Sequence, residues 1–131
     1  MDLSKIVNSE QLFTLELLHP TTDEPIGVTF QIRSMDSDPA KAVQRQIIDE
    51  TYERRRANKT IKAKEIVTNE YRKAAACIAG WDWGEHKYKG SIPQYSEEKA
   101  LEILTGQEWI FAQVLEAANK LSNFIVTSQE T

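Results

Sequence analysis

Apolar residues alternate with polar ones along two short stretches near the start of the chain. Phe13, Leu15 and Leu17 alternate with Thr14 and Glu16, and Val28, Phe30 and Ile32 alternate with Thr29, Gln31 and Arg33. Period two is the mark of a half-buried strand. The intervening His-Pro-Thr-Thr-Asp-Glu-Pro-Ile-Gly is rich in turn formers. The pattern predicts a β-hairpin over 12–33. A lone hairpin is marginal in water, so one face must pack on the rest of the chain or an edge must pair with another chain. Residues 1–11 carry Leu3, Ile6 and Val7 without a clear period.

After residue 37 the period changes to that of a helix. Asp38 is placed to accept from first-turn N–H groups, and Pro39 has no N–H to waste there. Ala40, Val43, Ile47 and Ile48 form an apolar stripe, and beyond Tyr52 the surface becomes charged. Asn58-Lys59-Thr60 predicts a break, with Asn tolerating the left-handed conformation and Thr able to cap; the alternative is one helix over 39–79. Val67, Tyr71, Ala74, Ala75 and Ile78 give the second helix its face, and Gly80 is read as its end. Residues 81–95 read as a Gly/Pro loop pinned by aromatic side chains. Ser96 caps a short helix that opens on Glu97-Glu98 and closes at Gly106. A last helix spans 107–124, with Ile110, Val114, Ala117, Leu121 and Phe124 on one stripe. Phe111, Leu115 and Ala118 form a second stripe beside it, so its apolar face is wider than one neighbour needs. The fold class is therefore α+β and helix-dominant: one domain, with the hairpin at 12–33, about four helices over 38–124 and a tail at 125–131 expected to fray. Gly80, Pro93 and Gly106 are expected outside helices.

The chain has 131 residues, 40% of them hydrophobic and 27% charged, with a net charge of −4. That size supports a real core without staples. The acidic balance argues against general affinity for nucleic acid or anionic lipid. Cys77 is the only cysteine, which suits a reducing compartment. No apolar run has the length of a membrane span, and the first residues lack the apolar core of a signal peptide.

Candidate chemistry is sparse. Asp82, Glu85 and His86 share a loop, but one histidine with two carboxylates is a poor ligand set, and no metal or cofactor is expected. Cys77 lies among alanines and reads as a buried core residue rather than a nucleophile. No Ser/His/acid grouping or glycine-rich phosphate loop is visible, and the chain is not expected to be an enzyme. Arg54, Arg55, Arg56, Lys59, Lys62 and Lys64 make one basic run, with Glu50, Glu53 and Glu65 close enough to pair with some of them. Trp81, Trp83 and Trp109 read most simply as core or loop anchors, although tryptophan is also enriched at interface hot spots. Trp83, Tyr88 and Tyr95 on the loop, with Trp109, Phe111, Leu115 and Ala118 on the last helix, are the candidate partner-binding residues.

The span from Glu70 to Phe124 carries an alanine-rich helix ending in Gly80-Trp81 and a loop with Gly90 and Pro93. It continues with a Ser96-capped acidic helix start, a paired-leucine helix, Trp109-Ile110, Gln113-Val114 and a closing Asn123-Phe124. This pattern resembles the tail assembly chaperones of long, flexible-tailed bacteriophages. It covers about half the chain well, and its motifs are structural rather than catalytic. The resemblance implies a non-enzymatic protein of the host cytoplasm that keeps the tape-measure protein soluble. It also implies recruitment of tail-tube subunits and absence from the mature virion. In many such phages a frameshift appends a second domain to a minority of copies. Weak self-association, through the hairpin edge or the last helix, is the further expectation. Two other readings compete: a tube or terminator subunit that stays in the tail, which calls for more β-structure, and a small nucleic-acid-binding regulator using 54–64.

Overall fold

The computed structural model describes residues 2–126. Strand β1 spans Phe13–Leu18, β2 Pro25–Ile32 and β3 Ile78–Asp82; helix α1 spans Asp38–Arg56, α2 Ala63–Ala76, α3 Glu97–Gly106 and α4 Glu108–Asn119. The expected helix-dominant α+β class holds. The sheet is antiparallel with order β1-β2-β3, so the predicted hairpin gains a third strand from residues read as a helix end and a loop.

The alternation in β1 and β2 does what its period requires. Leu17, Val28, Phe30 and Ile32 are buried, with Phe13 and Leu15 packed against them. Thr14 and Gln31 face outward and their side chains meet at 3.2 Å. Helix α4 lies on β1 and β2, while α2 and α3 pack against each other and on α4. Ile103, Leu104, Ile110, Val114 and Phe124 complete the core. The β1–β2 register shifts after Glu16, where Gly27 adopts φ 100°. Gln113 closes the irregularity. Its amide oxygen accepts from the Leu18 N–H at 2.9 Å and its NH₂ donates to the Leu18 carbonyl at 2.9 Å. One side chain thus does the work of a neighbouring strand.

Helix α2 ends at Ala76 with Cys77 as its C-cap, four residues before Gly80. The early stop depends on a residue distant in the chain. Arg33 lies just beyond β2, and its guanidinium donates to the carbonyls of Ala76 (3.1 Å) and Ile78 (3.2 Å). A cation there satisfies an orphan helix-end carbonyl and complements the negative end of the helix dipole. The Arg33 N–H also bonds the Cys77 carbonyl. Beyond this point the chain pairs with β2, Ile78 opposite Ile32 and Trp81 opposite Phe30. Those two residues are three apart and would point to opposite faces of a regular strand. The register shift at Ala79 puts both on the core face. Gly80 therefore sits inside β3 rather than capping a helix.

Other boundaries also differ from expectation. The cap of α1 is Ser37, but its hydroxyl makes no cap bond. The Asp38 N–H is met instead by the Glu10 carboxylate at 3.1 Å, from a segment the local signal does not include. Asn58 does adopt the left-handed conformation at the helix break (φ 57°), but α2 opens on Lys62 rather than Thr60. Gly106 is the last residue of α3, not outside it. Its φ is not positive; a Cβ there would stand 2.9 Å from the Tyr88 hydroxyl, so the glycine serves close approach. Helix α4 stops at Asn119, and Leu121–Phe124 form a 3₁₀ turn that leaves Leu121 exposed and buries Phe124. Of the tail expected to fray, Ile125 bridges Val7 and the Val126 N–H bonds the Ile6 carbonyl; 127–131 lie outside the described residues.

Helices α1 and α2 form a hairpin that leaves the body. Helix α1 packs chiefly on α2, and no residue in 41–73 is buried. The pair is held by Arg72–Glu50 (2.8 Å) and Arg54–Glu65 (2.6 Å), with Ile47 and Ile61 half-buried.

Replacing Gln113 by alanine leaves both backbone groups of the partly buried Leu18 without their partner. We expect a loss of about 1–3 kcal/mol, read as a lower urea midpoint with unchanged m-value; an unchanged midpoint means water replaces the bridge at no cost.

Candidate functional site

The aromatic residues of the 81–95 region are ordered by β3. Trp81 faces Phe30 across the strand pair, with ring centroids 5.3 Å apart. Trp83 stands 6.0 Å from Trp81 and 6.1 Å from Tyr88, both near edge-on. The Trp81 indole N–H donates to the Pro93 carbonyl at 3.0 Å, and the Tyr95 hydroxyl donates to the Ile78 carbonyl at 2.7 Å. These bonds tie the loop along β3. The loop turns back at Lys89 and Gly90, both with positive φ, between Tyr88 and Ser91, which bond each other's backbone. Positive φ at both central residues defines a tight two-residue hairpin turn.

Two concave surfaces flank this cluster. One hollow of about 410 Å³ is lined by Leu17, Val28, Trp83, Trp109 and Ile110, with His86, Lys87 and Lys89 at its margin. A groove of about 380 Å³ lies between α1, α2 and α3, over Val43, Ala75, Tyr95 and Leu101, with Arg33 and Arg72 in its wall. Ala75 and Ala76 of α2 are the small residues in its lining.

The residues singled out from the sequence fall in separate places. Trp83 (7% exposed), Tyr88 and Trp109 line the hollow, and Trp109 donates its indole N–H to Gln107 at 3.1 Å. Tyr95 (36% exposed) borders the groove instead. Phe111 stacks edge-on against Tyr71 at 4.6 Å. Leu115 is half-buried. Ala118 is buried, and its carbonyl accepts from the Met35 N–H at 3.0 Å. The second apolar stripe of α4 is thus largely taken up by α2 and by the segment before α1. Exposed large apolar side chains include Ile48 and Tyr52 on α1 and Ile66 and Val67 on α2. Ile48 and Val67 belong to stripes visible in the sequence, Tyr52 and Ile66 do not, and nothing there told which stripe would find a neighbour.

Several titratable groups are engaged in structure. Asp82 accepts from the Gly84 N–H at 2.9 Å, and His86 lies against Gly27. Among the described residues no three His, Cys, Asp or Glu side chains gather as metal ligands. Burial pushes the Cys77 thiol up to about 12. The Glu108 carboxylate raises the Tyr71 hydroxyl by accepting its hydrogen bond at 2.7 Å, and burial raises Tyr95. Arg72 holds the Glu50 carboxyl below its usual range. No described helix is long and apolar enough to cross a membrane. No protein-family profile, curated protein or solved structure matches the chain.

The Tyr88 hydroxyl is buried without a partner and sits against Gly106. Tyr88→Phe is expected to be neutral or stabilising, whereas Gly106→Ala should cost about 1–3 kcal/mol through overpacking; adding Tyr88→Phe should recover part of it. Thermal melts of the three variants check this, and a Tyr88→Phe chain that melts well below wild type shows that the hydroxyl has a partner.

Three acids with raised pKa also set the alkaline behaviour. The unfolded chain releases the Cys77 proton near its ordinary value of 9.0, while the folded chain keeps it to about 12. Stability is therefore present below pH 9 and lost as pH rises from 9 toward 12, with Tyr71 and Tyr95 acting in the same direction. Urea midpoints should fall between pH 8 and pH 10. Native Cys77 should resist a thiol-reactive disulfide reagent at pH 8 and react fully in urea; prompt native reaction places the thiol at the surface.

Proposed function

We propose that this chain is a non-enzymatic assembly protein of the phage-tail chaperone kind. It holds the long helical tape-measure protein in solution in the host cytoplasm and helps bring tail-tube subunits to it. The observation that supports this reading most is the groove between α1, α2 and α3. Its lining mixes apolar side chains (Val43, Ala75, Ala76, Ile78, Leu101) with Arg33, Gln46, Arg72 and Glu97, a form that could take an amphipathic partner helix with acidic flanks. The arm beside it offers further apolar contact at Ile48, Tyr52, Ile66 and Val67. Such contacts are individually modest, and association and ordering costs offset much of the burial. Reversible binding in many copies is what an assembly factor requires, since it must leave before the tube closes.

The tube or terminator reading calls for strands free to extend a sheet between subunits. The outer side of β3 is crossed by the Trp81–Pro93 and Tyr95–Ile78 bonds, which disfavours that edge for sheet extension. The nucleic-acid reading draws on the exposed basic run at the arm's end. Two of those arginines are paired, Arg54 with Glu65 and Arg56 with Glu53.

Co-expression with the tape-measure protein of the same genome tests the proposal. The partner should move from the pellet to the soluble fraction and co-purify with this chain. A Val43→Glu/Leu101→Glu variant, carrying charges in the groove, should lose at least tenfold in affinity while keeping its helix content. Equal solubility of the partner with and without the chain, and no co-purification, overturns it. Tight duplex binding that weakens steeply with salt favours the regulator instead.

A further inference from the structure

The groove, the space between α1 and α2 and the cleft beside β1 each mix acids with bases in their lining. The hollow beside Trp83 carries bases alone. Leu17, Val28, Trp83, Trp109 and Ile110 wall about 410 Å³, and His86, Lys87 and Lys89 stand at its margin. Neither lysine has an ion-pair partner among the described residues. The Lys89 Nζ lies 5.6 Å from the centre of the Tyr88 ring, which holds its ammonium beside the hollow. The carboxylates next in sequence to lining residues are engaged or placed elsewhere. Asp82 accepts from the Gly84 N–H, Glu108 accepts from the Tyr71 hydroxyl, and Glu16 lines the cleft on the free edge of β1. Glu85 is exposed and does not line the hollow.

The first turn of α4 adds charge of the same sign. Gln107, its N-cap, makes no side-chain cap bond, and the N–H groups of Glu108 and Trp109 meet no acceptor among the described residues. An open helix N-terminus carries partial positive charge. Trp83 supplies an independent sign of a missing partner. It is 7% exposed, and its indole N–H has no acceptor among the described residues. Those of Trp81 and Trp109 are both bonded. A buried polar group left without a partner is uncommon in folded proteins.

We propose that this hollow is a binding site for a flat apolar acid. A one- or two-ring aromatic group lies among Trp83, Trp109 and the aliphatic wall, and its carboxylate stays at the margin with Lys87, Lys89 and the first-turn N–H groups of α4. Ligand pockets of about 300–1,000 Å³ are built in this way, from mostly apolar walls and a few polar groups that fix orientation. Rings meet tryptophan in offset or edge-on contact and account for most of the area buried. Hydrogen bonds to an ionised group are roughly twice as strong as neutral ones, so the carboxylate sets the selectivity. A free arylalkanoic acid and a polypeptide ending in an aromatic residue carry this same chemistry. The site is separate from the groove, and it holds or fails independently of the chaperone reading.

The test is a titration of the ¹⁵N-labelled full chain with indole-3-acetate, its primary amide and tryptamine, followed at the indole N–H resonances of the three tryptophans. The acid should bind with a sub-millimolar dissociation constant, at least tenfold tighter than the amide or the amine. Trp83 and Trp109 should shift, while Trp81, bonded to Pro93, stays in place. Lys87→Gln/Lys89→Gln should bring the acid to the affinity of the amide with an unchanged thermal melt. Trp109→Ala should weaken acid and amide alike. N-acetyl-Gly-Gly-Trp with a free carboxylate separates the two sources. Binding as tight as that of indole-3-acetate assigns the site to a chain terminus, and binding at least tenfold weaker assigns it to a small acid. The absence of a saturable shift overturns the proposal, as does equal affinity for acid, amide and amine. A Lys87→Gln/Lys89→Gln chain that keeps the wild-type affinity for the acid also overturns it, and so do shifts centred on the α1–α2 arm instead of on Trp83 and Trp109.

Discussion

The pairing of β3 with β2 is the contact on which the other features depend. Trp81 stands opposite Phe30, and Ile78 opposite Ile32. For this to happen α2 must stop at Ala76, and Arg33 makes that stop favourable by donating to the carbonyls that the helix leaves open. The register shift at Ala79 then turns two residues of odd spacing toward the same core. The loop beyond β3 inherits its path from this arrangement, because Trp81 and Tyr95 bond across it to Pro93 and Ile78. Without the pairing α4 would still lie on the hairpin, but the aromatic loop would lose the strand along which it packs.

The two halves of the molecule are built on different physical terms. The body joins a sheet to α4 and the root of α2, with α3 against both helices, and buries a continuous apolar cluster from Leu17 to Phe124. The arm has half-buried but no fully buried residues over 41–73, and the ion pairs between its helices sit at partly exposed positions, where they contribute little individually. A segment of this kind sits at the low end of local stability.

The one thiol is buried and hard to ionise. The tyrosines at 71 and 95 donate to a carboxylate and a carbonyl within the fold. Gly106 is small because Tyr88 lies against it, not because a turn needs it. At the surface lie a groove lined in part by Ala75 and Ala76, a hollow lined by Trp83 and Trp109, and an arm whose tip carries the basic run.

The amino-acid sequence by itself determined the elements whose cause is local. Period-two alternation specified β1 and β2. Ser96, with Glu97 and Glu98 behind it, specified the start of α3, and its hydroxyl does accept from the Lys99 N–H. Asn58 marked the helix break because few other residues tolerate its left-handed backbone. The tertiary structure decided what depends on residues distant in the chain. Gly80 became part of a strand because β2 offered an open edge. Glu10 rather than Asp38 met the first N–H of α1. The second stripe of α4, with Phe111 and Ala118, was largely covered within the chain, while Ile48 on the stripe of α1 and Val67 on that of α2 stayed exposed. A periodic pattern states that a helix has an apolar face; which face finds a neighbour depends on how the elements are stacked, and that information is not local.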